Sequence, residues 1–292
     1  MTTRGRFSTF TAMNNLSLTD IQQLFKPRES TSHKGNHGHA LLIAGSIGKM
    51  GAAVIAAKAC LRSGCGLLTV GVPNKERSIV QTSVPEAMII PWEDDMEASD
   101  LYSAIGIGSG IGIRDYSGEG AFPAYLNQTK TPMLLDADAL NGIATNTKLL
   151  RKIPKNTIIT PHPKEFDRLF GLHHSTDERT ETAIKKAKAY NLVIVLKGHQ
   201  TLITHNGDAF LNTNGNAGLA KGGSGDALTG IITSFLAQGY EPFDAAKLGV
   251  FLHGSAADLA LATQSVESML ITDVIDCLGD AFKKINAVQK SV

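Results

Sequence analysis

The sequence predicts an α/β fold: a central, mostly parallel sheet with helices on both faces. Three observations carry this. From His33 onward, short apolar runs alternate with helical stretches, and glycine, proline or a polar residue marks each junction. The runs are apolar throughout instead of alternating with polar residues, the pattern of strands covered on both faces. No Pro- or Ser-rich linker, low-complexity tract or internal repeat interrupts the series, so the 292 residues read as one α/β unit.

The elements follow in order. Residues 40–44 form the first apolar run and end at Gly45-Ser46. An Ala-rich helix is expected over 50–63. The next strand, 67–72, stops at Pro73. Further strands are expected at 87–90, 104–107, 133–135, 157–160 and 192–196, with a helix at 177–189. Residues 201–204 and 209–212, joined at Asn206-Gly207, predict a hairpin, because Asn-Gly readily takes the positive φ of a tight turn. The last third predicts helices over 226–238, 242–262 and 271–285. Residues 1–32 are read as an N-terminal extension or leading helix, and 33–292 as the folded domain. The first 19 residues hold no Asp or Glu and carry Arg4 and Arg6. That composition fits a transit peptide, a disordered N-terminus or an extension before a second start at Met13. It contains no apolar h-region, so secretion is not expected.

Composition excludes several classes. The 28 basic and 27 acidic residues nearly cancel, so no broad electrostatic footprint for nucleic acid or an anionic membrane is expected. No run of about 18 apolar residues predicts a membrane span. Cys60, Cys65 and Cys277 form no C-x-x-C pair and leave one thiol unmatched, as in a reduced, cytoplasmic protein.

Several familiar motifs fail on spacing. Gly106, Gly108, Gly110 and Gly112 follow a strand, but as G-x-G-x-G-x-G, not the dinucleotide fingerprint. Gly45-Ser46-Ile47-Gly48-Lys49 is too short for a P-loop, and Met50 stands where a Ser or Thr is needed. Ser224 lacks the closing glycine of a hydrolase elbow, because Asp226 occupies that place. No histidine has companions at zinc-ligand spacing.

One stretch carries chemistry. Residues 214–226, N-G-N-A-G-L-A-K-G-G-S-G-D, run directly into a helical segment. Gly222, Gly223 and Gly225 allow close backbone approach to a ligand. The free N–H groups of the helix's first turn complete an anion hole suited to a transferring phosphoryl group. Asp226 then stands where it can take a proton from an attacking hydroxyl. The plain alternative is an acidic first-turn residue favoured by the helix dipole.

The segment A-K-G-G-S-G-D-A-L-T-G (220–230) resembles the signature of ribokinase-like kinases. Other segments narrow the resemblance to the ADP/ATP-dependent NAD(P)H-hydrate dehydratases. They are His33-Lys34-Gly35, the run from Gly38 to Ser46, Gly51-Ala52-Ala53, and Ala56 to Gly64. Leu135 to Asn141, Thr160-Pro161-His162-Pro163-Lys164-Glu165-Phe166 and Val195 to Thr201 complete the set. They fall in the family's order over roughly 33–285. The departures are small: Ser224 for Thr, Lys164 for Gly, Leu219 for Met, and Ser109 where the family's I-G-P-G-L-G loop has Pro.

The resemblance implies a ribokinase-like fold and repair of hydrated NADH and NADPH. A phosphoryl group passes from ADP or ATP to the C6 hydroxyl of the hydrated nicotinamide ring, and phosphate is then eliminated. It implies Asp226 as catalytic base and hydrate contact, with Ala53, Gly110 and His162 also lining the hydrate pocket. Lys197, Gly198, His199, Gln200, Thr201 and Gly225 are the implied nucleotide contacts. Glu165 is the implied acidic residue that organises Mg²⁺ through water. A homo-oligomer, a tetramer by family habit, and a separate epimerase acting on the same hydrates are further expectations, since the chain leaves no room for the epimerase domain often fused to this family. The alternatives are a small-molecule kinase of the hydroxymethylpyrimidine or thiazole type, and a non-catalytic nucleotide-binding protein. The H-K-G start and T-P-H-P-x-E-F weigh against the first, and the intact Asp226 against the second. Asp136 and Asp138, at a strand end, either face the site or cap the following helix.

Overall fold

The computed structural model describes residues 13–91, 101–112 and 129–286. Arg4 and Arg6 lie outside the described residues. Strands β1 (Asn14–Asn15), β2 (His39–Ile43), β3 (Leu67–Val72), β4 (Met88–Pro91) and β5 (Ala104–Ile107) are followed by β6 (Met133–Leu135), β7 (Ile158–Ile159), β8 (Val193–Leu196), β9 (Thr201–His205) and β10 (Asp208–Asn212). The helices are α1 (Leu18–Leu24), α2 (Met50–Arg62), α3 (Arg77–Ser83), α4 (Ala137–Thr145), α5 (Pro163–Phe170), α6 (Thr176–Tyr190), α7 (Ser224–Ala237), α8 (Pro242–Ala260), α9 (Ile271–Asp276) and α10 (Leu278–Asn286).

The strands form one sheet in the order β1-β10-β9-β8-β7-β6-β5-β2-β3-β4. All described pairings are parallel except β8 with β9 and β9 with β10. The second is the predicted hairpin, whose turn at Asn206-Gly207 has positive φ at both residues, and the first joins that hairpin to β8. The continuous apolar runs are explained by the two cores. Along β2, Ala40 and Leu42 face a core shared with α2, α7 and α8, while Leu41 and Ile43 face a second core shared with α4, α5 and α6. Successive side chains of a strand point to opposite faces, so a strand with a core on each side must be apolar at every position.

Two differences from the sequence expectations stand out. The helix expected over 271–285 is two helices broken at Cys277. Residues 14–24 were read only as an extension or leading helix. They supply both α1, with Ile21 buried, and a short strand pairing in parallel with β10 at the sheet edge.

Five neighbouring parallel strands position the site. The chain leaves β8, β7, β6, β5 and β2 at one edge of the sheet, at Lys197, His162, Asp136, Ser109 and Ser46 respectively. The carboxyl edge of a parallel sheet is where open α/β folds bind ligands.

Candidate active site

Above this edge lies a cavity of about 860 Å³. Asp136, His162, Lys197, Gly223, Asp226 and His253 are among the residues on its wall. Helix α7 opens onto it. Gly223 precedes the helix at φ +94°, a left-handed conformation that glycine adopts without strain, and no side chain caps the helix N-terminus. The first-turn N–H groups of α7 are therefore available to an anion.

Asp226 sits in that first turn, half-buried. Burial pushes its carboxyl above the ordinary Asp value, and the nearby Asp136 and Asp138 push the same way; the Ser109 hydroxyl and the Lys197 ammonium pull it back. A carboxylate raised in this way is a better proton acceptor than a solvated one. The Ser109 that replaces the family's proline thus stands beside the expected catalytic base.

Lys197 is held, not free. Its Nζ donates to Asp136 Oδ1 at 2.8 Å, and Thr229 Oγ1 donates to Asp136 Oδ2 at 3.0 Å. Asp136 is almost wholly buried. Of the two roles open to Asp136, its side chain makes no cap bond and instead faces the site. Gly198, His199, Thr201 and Gly225 also line the cavity, whereas Gln200 is exposed and off its wall.

His162 does two things. Its Nδ1 accepts from the N–H groups of Lys164 and Glu165, and Glu165 Oε2 accepts the His162 N–H at 2.9 Å, a reciprocal cap on α5. Its Nε2 lies 3.3 Å from Glu165 Oε1. Burial lowers the His162 pKa despite Glu165, with Lys197 and Arg168 acting in the same direction as burial. Both residues line the cavity. The T-P-H-P-x-E-F segment is therefore at once a helix start and a piece of the wall.

Ala53 and Gly110 are not on that wall. Ala53 is fully buried in α2, beneath the Gly45 turn. Gly110, at φ +67°, packs against Ala52 and Lys49, and its carbonyl accepts from Ser46 Oγ at 2.7 Å. They belong to the neighbouring end of the strand edge, where β2 and β5 finish.

Asn212, Val250, His253 and Gly254 also line the cavity and carried no sequence signal. They come from the hairpin and from the middle of α8, and only the tertiary fold brings them to Asp226. His253 is buried, and burial with the nearby Lys197 charge lowers its pKa to about 4, so the ring is neutral at pH 7.

No group of three His, Cys, Asp or Glu among the described residues is placed to hold a metal by itself. Mg²⁺ usually keeps several waters and takes phosphate oxygens alongside one or two carboxylates. Glu165 offers such a carboxylate on the cavity wall, whereas both oxygens of Asp136 are taken by Lys197 and Thr229.

A parallel sheet with an anion-binding helix start and a first-turn Asp at its carboxyl edge defines a ribokinase-like protein. The chain belongs to the NAD(P)H-hydrate dehydratase family, whose model matches residues 40–279. The ADP-dependent (S)-NAD(P)H-hydrate dehydratase of Bacillus subtilis is 38% identical over 273 residues, 90% of this chain and 96% of that relative. The bifunctional NAD(P)H-hydrate repair enzyme Nnr of Moorella thermoacetica is 36% identical over 267 residues, 86% of this chain. The chain spans about half the length of this bifunctional relative, the match covering 50% of it. The crystal structure of the ADP/ATP-dependent NAD(P)H-hydrate dehydratase from B. subtilis, co-crystallized with ATP/Mg²⁺, superposes with a TM-score of 0.85 at 34% identity. It covers 94% of this chain and 99% of its own.

Proposed function

We propose that the protein restores the S form of hydrated NADH and NADPH, using ADP or ATP as phosphoryl donor. The observation that carries this is the placing of Asp226. It stands in the first turn at the uncapped start of α7, with the Ser109 hydroxyl from the β5 end acting on its carboxyl. The nucleotide phosphates occupy the α7 start beside Lys197, and the hydrated ring lies toward Gly110 and His162. Asp226 accepts the proton of the C6 hydroxyl as the hydroxyl oxygen attacks the terminal phosphorus of the donor, whose bridging P–O bond breaks to release AMP from ADP or ADP from ATP. Hydroxide leaves poorly and phosphate leaves well. The C6–O bond then breaks with its electron pair going to phosphate, a proton leaves the adjacent ring carbon, and the double bond returns. Glu165 would hold Mg²⁺ through water, and the ion would neutralise charge on the phosphates.

A homo-oligomer, a tetramer, and a cytoplasmic location complete this reading. Residues 33–292 form the catalytic domain, and β1 and α1 of the leading segment complete its sheet edge and core. An epimerase acting on the same hydrates would be the functional partner. Among the described residues no helix is long and apolar enough to cross a membrane. A small-molecule kinase would share the Asp226 chemistry but release a stable phosphorylated product. Chemically hydrated NADH, incubated with the protein and ADP or ATP, separates the two. Return of the reduced-nicotinamide absorbance supports repair. Nucleotide consumption only with a pyrimidine or thiazole alcohol, and none with the hydrate, would overturn it.

A further inference from the structure

The strand edge holds a second lysine–aspartate pair that mirrors the first. Strand β6 passes into α4 through Asp136-Ala137-Asp138, and Ala137 takes φ +46°, an uncommon left-handed conformation for a residue with a side chain. The two carboxylates serve different partners. Asp136 receives Lys197 from β8. Asp138 accepts the Gly112 N–H at 2.9 Å and lies 3.6 Å from Lys49 Nζ, which follows β2. In the sheet β8 and β2 lie on opposite sides of β6. The two lysines therefore pair with the two carboxylates of one turn, and both carboxylates act on Asp226.

Lys197 belongs to the nucleotide side. The other substrate of the proposed reaction is itself a dinucleotide with a pyrophosphate, and it needs a cation on its own side. Lys49 has the properties of one. Its side chain is about half exposed, at 56%, and its ion pair is looser than the 2.8 Å pair of Lys197. The carbonyl oxygen and Cβ of Lys49 pack against Gly110, on the expected hydrate side. Among the described residues, a Cβ added at the flanking Gly48 or Gly51 would meet nothing within 4 Å. Lys49 also precedes α2, whose N-terminus no side chain caps, so the helix dipole adds to its field.

We propose that Lys49 receives a phosphate of the hydrated dinucleotide, with Asp138 holding the ammonium over the Gly110 loop until that anion arrives. This deepens the repair reading and rests on it. The phosphate is either the pyrophosphate common to both hydrates or the 2′-phosphate of the NADPH form.

The test uses Lys49→Met and Lys49→Arg in the full chain, with an unchanged thermal midpoint as the check on folding. NADH and NADPH, the repair products, are titrated directly, and turnover of both hydrates is measured in parallel. The expected result for Lys49→Met is a rise of about tenfold in Kd for the products and in KM for the hydrates, a typical loss for one charge-assisted contact. The KM for ADP or ATP and kcat stay in place. Lys49→Arg recovers most of the loss, and the affinity of the unmutated protein falls more steeply with salt than that of Lys49→Met. A rise confined to the NADPH forms assigns Lys49 to the 2′-phosphate; a rise for both assigns it to the pyrophosphate. Unchanged Kd and KM for both dinucleotides overturn the inference while leaving repair intact. Lys49-dependent binding of NADH or NADPH without turnover of either hydrate overturns the repair reading instead. Failure of the unmutated protein to bind any of the four overturns both.

Discussion

A carboxylate that must accept a proton from an alcohol works best when its surroundings leave it short of solvation, and Asp226 is so placed. Asp226→Asn keeps the shape of the side chain and removes the proton acceptor. Turnover of hydrated NADH should fall by roughly 10²–10⁴, with nucleotide affinity retained; a near-normal rate in the folded variant would remove Asp226 from the mechanism. Ala53 makes the opposite case. The motif suggests a small residue left small for a ligand, yet its side chain is fully buried and faces the Gly45 turn. Ala53→Leu adds three carbons to packed interior and should cost about 1–3 kcal/mol of stability. Urea unfolding measures this directly. A variant as stable as the parent, but unable to take the hydrate, would return Ala53 to the pocket. Lys197 shows why residue roles are not read singly. It was expected as a phosphate contact, and it also neutralises Asp136, whose carboxylate is nearly closed to water.

At the level of elements, the site depends on how closely α2 and α7 approach. Gly230 lies in the middle of α7, and a Cβ there would overlap the backbone carbonyl of Ala56 on α2. The Ala-rich face of α2, with Ala53, Ala56, Ala57 and Ala59 all fully buried, permits that crossing. One helix therefore fixes the other, and with them the start of α7 at Asp226 and the start of α2 beside Lys49. Gly230→Ala should force the helices apart and cost at least about 2 kcal/mol. Helix propensity alone predicts the reverse, a gain of up to about 1 kcal/mol from Gly to Ala. A measured gain in the midpoint of denaturation would show that the crossing is not as tight as the packing implies. The His162–Glu165 cap acts at the same scale: it starts α5 at the end of β7 and so places both side chains on the cavity wall.

For the whole molecule, the buried neutral His253 couples folding to pH. Its pKa falls from 6.5 to about 4 on folding. Between those values the unfolded chain binds more protons than the folded one, so stability falls as pH drops from about 6.5 toward 4, and this contribution levels off below 4. The full effect is of order 3 kcal/mol. Thermal midpoints measured across that range should decline, and His253→Gln should flatten the decline. An equally steep decline in the variant would place the sensitivity elsewhere.

The alternation of apolar runs and helices determined the α/β class and located nearly every strand, because a strand with a core on each face is dominated by apolar side chains. The glycine-rich approach to Asp226 was legible for a related reason: few residues other than glycine tolerate the backbone conformation and close approach that an anion site demands. Residues 14–24 were harder to read, because a two-residue strand at a sheet edge leaves no periodic pattern. The break at Cys277 was hidden within an otherwise helical pattern. The partners within the site were beyond reach of the sequence. Asp136 and Lys197 are 61 residues apart, and Asp136 and Thr229 are 93 apart. Asp138 and Lys49 meet only because β6 and β2 lie two strands apart in the sheet. A motif specifies which chemistry a residue can perform; which charge stands beside it, and how much water reaches it, is set by the order in which distant strands pair.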